Sequence, residues 1–335
     1  MSRKKILVTL SALFILAGIA IGTVAMEYFS FISKPLLNNV NITIGKGWGL
    51  SRVATELEKK QIISSARYFL LLSKINSKGF VQAGEYRFMA GDTPVDILAD
   101  LRSGSVVQHR ISFPEGVTVK EMVKIMQKAD IPGSETVLDT PGLKEKLKIS
   151  SANFEGWFFP DTYQYTKGET AESLVTRMVN QTKKILEKEW AARPPDYKLT
   201  AYETLILASI IEKETGVARE RGIISGVFHN RLRKKMKLQT DPTVIYGIKN
   251  FDGNITRKHL RTPTPYNTYT NFGLPPTPIS NSGREAIHAA IHPESSSYLY
   301  FVSRGDGSHV FSKTFAEHDA NVDCYQRKKN CKRVK

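Results

Sequence analysis

From Ile6 to Met26 the chain runs 21 residues without a charged side chain. At about 1.5 Å per residue a helix of that length rises roughly 31 Å, which matches a hydrocarbon core about 30 Å thick. Arg3, Lys4 and Lys5 precede it and the first acidic residue, Glu27, follows it. The positive-inside tendency therefore keeps the N-terminus in the cytoplasm and sends the rest of the chain outward. The alternative is a cleaved signal peptide, for which Thr23-Val24-Ala25 is a possible cleavage sequence. A buried core helix is disfavoured, because the run is apolar on all sides.

Export decides how the charge is read. The 48 Lys and Arg against 32 Asp and Glu leave a formal +16, which favours contact with an anionic polymer or membrane surface. Outside the cytoplasm, envelope polymers and lipid headgroups are the expected counter-charges and nucleic acid is not. A 41% hydrophobic content excludes a wholly disordered or collagen-like chain. Cys324 and Cys331 are too few for a disulfide scaffold and lack zinc-ligand spacing. Their mutual pairing stays open.

Three stretches share a strand, a glycine turn and an amphipathic helix. Counting from Gly47, Gly91 and Gly116, apolar residues recur at plus 6, plus 7 and plus 10: Val53, Ala54 and Leu57, then Ile97, Leu98 and Leu101, then Met122, Val123 and Met126. One helical face is buried in every unit. The middle stretch, Ala83 to Thr93 with Ile97 and Leu98, resembles the strand and first helix of a LysM domain, a small glycan-binding fold. The expected class is α+β. The chain divides into a cytoplasmic end (1–5), a transmembrane helix (6–26), a linker with a LysM-like module (27–110), a larger α+β domain (111–325) and a basic tail (326–335). In the run from Phe154 to Tyr163, Trp157 and Tyr163 beside Asp161 suit either core packing or a sugar-binding wall.

Thr200-Ala201-Tyr202-Glu203 is a capping box, so a helix starts there, and Gly216 is a plausible stop. With Ile206 at 0°, Ile210 falls at about 40° and Glu214 at about 80°, within the apolar stripe, while Glu212 falls at about 240°. A carboxyl on the core side loses hydration in its charged form, and its pKa rises toward the range of a general acid. Pairing with Arg219 or Arg221 is the plainer alternative for Glu214. The next helix, from about Ala218 to Met236, buries Ile224, Val227 and Phe228 and is expected to expose Arg231, Arg233, Lys234 and Lys235. Beyond it come loops rich in Pro, Tyr and amide side chains, at Gln239 to Thr243, Tyr246-Gly247, Thr264 to Tyr269 and Gly273 to Pro276, a composition that suits oligosaccharide. His288 and His292 stand four residues apart on a probable helix, but the sequence offers no third metal ligand.

Leu207-Ala208-Ser209-Ile210-Ile211-Glu212-Lys213-Glu214-Thr215, Phe228-His229-Asn230-Arg231-Leu232, Leu238-Gln239-Thr240-Asp241-Pro242-Thr243, Pro265-Tyr266-Asn267-Thr268-Tyr269 and Gly273-Leu274-Pro275-Pro276 together closely resemble the endolytic murein transglycosylases, the YceG-like family. So do Glu155 to Tyr163 and Tyr298 to Val302. Thr277 and Ser282 depart from residues common in the family. The resemblance implies that residues 111–325 are a YceG-like catalytic domain and that Glu214 is its acid/base. It implies cleavage between N-acetylmuramic acid and N-acetylglucosamine in nascent peptidoglycan, with the muramyl C6 hydroxyl as nucleophile and 1,6-anhydro ends that terminate strand growth. Neither cofactor nor metal is expected. The implied location is the bacterial inner membrane, single-pass, with the catalytic domain periplasmic and coupled to penicillin-binding peptidoglycan synthases. Asn230, Gln239, Asp241, Tyr246, Tyr266, Asn267 and Tyr269 are the candidate glycan contacts. A non-catalytic peptidoglycan-binding scaffold and a water-using muramidase with two carboxyl groups are the competing readings.

Overall fold

The computed structural model of the chain describes residues 3–76 and 80–327. Cys331 and most of the basic tail lie outside the described residues. The chain forms two compact units, Met1–His109 with Gln164–Gly168 and Arg110–Tyr163 with Glu169–Lys335.

In the first unit, α1 (Arg3–Ile32) is one continuous helix whose stretch Leu10–Ile32 is long and apolar enough to cross a membrane. From Leu10 to Met26 its side chains face outward, Phe14 at 83% exposure. The stretch does not stop at Met26, where the sequence reading ends it. Phe31, the penultimate residue of the helix, is buried with Ile42, Phe69 and Tyr86, and the Tyr68 hydroxyl donates to Glu27 Oε2 at 2.6 Å. The apolar helix therefore ends inside a folded core. That core is built on β1 (Val40–Ile44) and β2 (Gly84–Phe88), antiparallel with Ile42 opposite Tyr86, and on α2 (Leu50–Lys59), α3 (Ala66–Ile75) and α4 (Pro94–Ser103).

The glycine-counted positions are buried as the periodicity predicts. Val53, Ala54 and Leu57 in α2 and Ile97, Leu98 and Leu101 in α4 are all core residues, as are Met122, Val123 and Met126 in the second unit. Gly47, Gly91 and Gly116 hold φ of +77°, +101° and +75°, a backbone that side-chain-bearing residues resist, so the same turn recurs for the same reason.

In chain order β3 (Gln108–Ser112) follows, which pairs with β4 (Thr162–Thr166), and the second unit includes α5 (Val119–Lys128) and the short α6 (Leu143–Lys146). Its helical core comprises α7 (Ala171–Ala191), α8 (Ala201–Glu214) and α9 (Arg221–Arg233), followed by α10 (Asp241–Tyr246), α11 (Arg257–Arg261) and α12 (Arg284–Ile291). The hairpin of β5 (Tyr300–Ser303) and β6 (His309–Ser312), with Ser303 opposite His309, carries α13 (Phe315–Tyr325) against it.

The central helix is α8, packed by α9, α10 and α12. Its capping box forms as expected: Glu203 Oε2 accepts from the Thr200 N–H at 2.7 Å, and Thr200 Oγ1 accepts from the Glu203 N–H at 3.2 Å. The single apolar stripe drawn from the helical wheel is too narrow a description. Leu205 and Ala208, on the side away from Ile206, are as deeply buried as Ile210 and Ile211. The helix stops at Glu214 because Thr215 turns extended, at φ −146° and ψ 134°, and not through a left-handed Gly216.

Candidate active site

The three residues Glu212, Lys213 and Glu214 close α8, and each is tied to a different segment. Glu212 Oε2 accepts the Gly283 N–H at 2.9 Å, and its carboxylate lies 3.9 Å from Arg221. Lys213 Nζ donates to the Gly116 carbonyl at 3.1 Å. Glu214 Oε1 accepts from the Thr240 hydroxyl. Glu212 is thus buried as well as Glu214, and burial raises both carboxyls above the ordinary range. What separates them is the partner set: Glu212 fastens backbone, whereas Glu214 meets a polar cluster.

That cluster is built by the start of α10. Thr240 occupies the position before the helix, where its hydroxyl would ordinarily cap a backbone N–H. Its side chain makes no cap bond and reaches Glu214 instead. Thr268 Oγ1 accepts the Thr240 N–H at 3.0 Å and lies 2.9 Å from Thr243 Oγ1, so a buried threonine group fixes the donor. Asp241 follows, its Oδ1 accepting from the Tyr269 hydroxyl at 2.6 Å. Burial first, then the charge of Asp241, push the Glu214 carboxyl up to about 7, against the opposing pull of the Thr240 hydrogen bond, His309 and Arg231. The carboxylate also ends a helix, where the backbone dipole disfavours negative charge. Near neutral pH such a group is poised between giving and taking a proton.

Arg231 departs from expectation. The sequence reading places it on a solvated basic face, but it is 6% exposed. Its Nε donates to the Leu299 carbonyl at 2.6 Å, while one terminal nitrogen donates to the Leu238 carbonyl at 2.8 Å and to Gln239 Oε1 at 3.4 Å. The guanidinium lies over the Tyr300 ring, 5.1 Å from its centre. It supplies a buried positive charge to Glu214, with its orientation set by backbone carbonyls. His309 is held by a different partner: its Nδ1 lies 2.7 Å from Glu220 Oε2, and its backbone N–H donates to Glu220 Oε1 at 3.1 Å. The sequence reading assigned no role to Glu220.

The predicted glycan contacts separate into two groups. Gln239, Asp241 and Tyr269 gather around Glu214 and Arg231, while Tyr246 and Tyr266 pair edge to face at the far end of α10, their ring centres 4.8 Å apart. Asn230 and Asn267 are corrections. Asn230 Nδ2 donates to the Ser296 and Tyr298 carbonyls, both at 2.9 Å, and its Oδ1 accepts from Arg233. Asn267 Nδ2 donates to the Thr262 and Leu260 carbonyls at 2.7 and 3.1 Å, and its Oδ1 accepts the Tyr269 N–H. Both amides are buried and spent on loop backbone. Trp157 and Tyr163 likewise belong to the core: Trp157 Nε1 donates to Ser151 Oγ at 2.9 Å and the Tyr163 hydroxyl to the Phe159 carbonyl at 2.9 Å. Phe272 does the reverse, standing 69% exposed with Lys237 Nζ 5.1 Å from its ring centre.

Glu155 is the acid that sequence reasoning missed. It is 6% exposed, and burial pushes it up to about 7 despite hydrogen bonds that favour its charge. Its Oε1 accepts from the Val119 N–H at 2.9 Å and Asn281 Nδ2 at 3.2 Å, and its Oε2 from the Tyr246 hydroxyl at 3.1 Å. Both oxygens are occupied by protein donors. The signal available was an acidic residue leading a run of aromatic residues that had to be core.

The sequence model of the YceG-like family matches residues 42–324. A Bacillus subtilis (strain 168) protein named endolytic murein transglycosylase is 32% identical over 318 residues, spanning 89% of this chain and 88% of its own length. A protein of the same name from Streptococcus pneumoniae serotype 2 is 27% identical over 320 residues, 84% of this chain and 58% of its own length. The crystal structure of a YceG-like protein from Listeria monocytogenes aligns with TM-score 0.57 and 33% identity, over 84% of this chain and 99% of that one.

Proposed function

Because the chain belongs to the YceG-like family, we propose that it is an endolytic lytic transglycosylase acting on peptidoglycan, with Glu214 as its single acid/base. The observation that carries this reading is the Glu214 carboxyl at the end of α8, held by Thr240 and raised to about 7 by burial. In the first half of the reaction protonated Glu214 gives its proton to the glycosidic oxygen as the bond from muramyl C1 breaks. In the second half the C6 hydroxyl of the same sugar attacks C1, and Glu214 takes the hydroxyl proton. One C–O bond is broken and one formed, the acid is regenerated, and no water is consumed. Asp241 and Tyr269, joined by their hydrogen bond, are placed to support the positive charge that develops at C1.

Glu155 bears on the competing hydrolytic reading. Hydrolytic glycosidases generally employ a second carboxyl to activate water or to attack the sugar. Glu155 has a suitable protonation range, but its oxygens already serve Val119, Asn281 and Tyr246. That occupancy supports one working acid. Exposed Phe272 beside Lys237 suits stacking of a sugar face next to an anionic polymer.

The apolar helix α1, preceded by Arg3, Lys4 and Lys5, supports a single-pass anchor with the N-terminus cytoplasmic. An enzyme fixed there meets newly made strands at the outer membrane face, where cleavage ends their elongation and where peptidoglycan synthases are the fitting partners. The test uses the full chain on purified glycan strands. Glu214→Gln is expected to abolish new chain ends while glycan retention and folding persist. Substantial cleavage by that variant would refute the assignment, and retention without cleavage by the unmodified chain would favour the scaffold.

A further inference from the structure

On the sequence alone His288 and His292 lack a third ligand, and the fold supplies one from α7, at Glu189. One donor atom from each of the three residues lies within 4.8 Å of the others. His288 Nδ1 is 2.7 Å from Glu189 Oε2, and the two imidazole rings are 4.5 Å apart between centres, inclined by 34°. We propose that Glu189, His288 and His292 bind a divalent transition-metal ion of the zinc class and so clamp α7 to α12.

The donor set is chemically apt. Two imidazole nitrogens and one carboxylate oxygen suit zinc, with bonds of about 2.0–2.1 Å and water completing the coordination. In such a tetrahedron adjacent donors stand about 3.4 Å apart. The His288 to Glu189 contact would open by a fraction of an ångström, with the ion taking the place of the proton those two atoms now share. His292 has to approach, and it sits at the end of α12, where His292 has left helical geometry at φ −116° and ψ 68°.

The surroundings orient the carboxylate. Glu189 is 5% exposed, and Arg284 donates through two nitrogens to its Oε1, both at 3.2 Å. Oε2 is the oxygen that faces His288. An outer partner that fixes a ligating group in this way is a regular feature of metal centres. His288 is half exposed, which leaves a path for the ion. The consequence is mechanical: α12 packs against α7, α8 and α9, so an ion at its end braces the helix that carries Glu214 without entering the sugar chemistry. The site does not depend on the reaction proposed above.

The experiment is zinc titration of the full chain in detergent, stripped beforehand with chelator, followed by calorimetry and thermal melting. The expected result is one ion bound and a raised melting temperature, with His288→Ala and His292→Ala each weakening zinc at least about tenfold and losing the thermal shift. His109→Ala, in the other unit, is the control and keeps both. Cobalt titration gives a second readout, the intense visible bands of a low-coordinate site, expected for the unmodified chain and lost in His292→Ala. Zinc binding unchanged in His292→Ala, or absent from the unmodified chain at millimolar zinc, overturns the proposal.

Discussion

Replacing Glu214 by Gln should stabilise the protein at alkaline pH while removing its activity, and the size of the gain follows from the burial of the carboxyl. An ordinary glutamate ionises near 4.5, whereas Glu214 is held at about 7. A carboxyl whose folded pKa lies above its unfolded value leaves stability unaffected below about 4.5. It then costs the folded state progressively more as pH rises through about 7. Fully developed, that difference is about 3 kcal/mol, and with local relaxation around the ionised carboxylate about 1–3 kcal/mol is expected. The amide keeps the shape, carries no charge and removes the penalty. Thermal melting in detergent at pH 5 and pH 8 measures it, with about 2–4 °C for each kcal/mol in a unit of this size. The variant should match the unmodified chain at pH 5 within about 1 kcal/mol and exceed it at pH 8. Equal pH dependence in the two proteins would refute the reasoning, since the carboxyl would then ionise alike in both states.

Three further outcomes follow from other contacts. Thr240→Val removes the hydroxyl that favours ionised Glu214, so the alkaline limb of the pH–rate profile should move up by roughly 0.7 of a pH unit, equivalent to about 1 kcal/mol; an unmoved limb would mean that the bond is not made in the working enzyme. Glu155→Gln should retain anhydro-product turnover, because the Glu155 oxygens are already taken up by Val119, Asn281 and Tyr246; a folded variant with no turnover would make Glu155 part of the chemistry. Phe272→Ala should raise KM about fivefold, near 1 kcal/mol, with kcat unchanged, and a fall in kcat alone would assign the ring a different place.

What could be read from the chain was what is decided locally. The positions six, seven and ten after Gly47, Gly91 and Gly116 are buried because a turn and a helical period settle them within a dozen residues. The Thr200 capping box is equally short-range. The failures share the opposite property. Arg231 looked solvated because the Leu299 carbonyl that anchors it is 68 residues away. Asn230 meets carbonyls 66 and 68 residues distant, and Glu155 meets an amide 126 residues distant. The third member of the histidine cluster lies 99 residues before His288. The helical wheel chose between Glu212 and Glu214 by supposing one buried face, but α8 is enclosed nearly all round, and only tertiary partners tell the two carboxyls apart. The YceG-like resemblance, and not periodicity, is what singles out Glu214 as the proposed acid/base.

Digestion of purified glycan strands in water enriched in oxygen-18, followed by mass analysis of the fragments, tests directly whether the sugar or the solvent is the nucleophile. Internal attack at C1 predicts muramyl ends one water lighter than hydrolysed ends and free of the heavy isotope, all lost in Glu214→Gln. Fragments carrying one heavy oxygen at the muramyl end would contradict a single-acid transglycosylase and restore the two-carboxyl hydrolase.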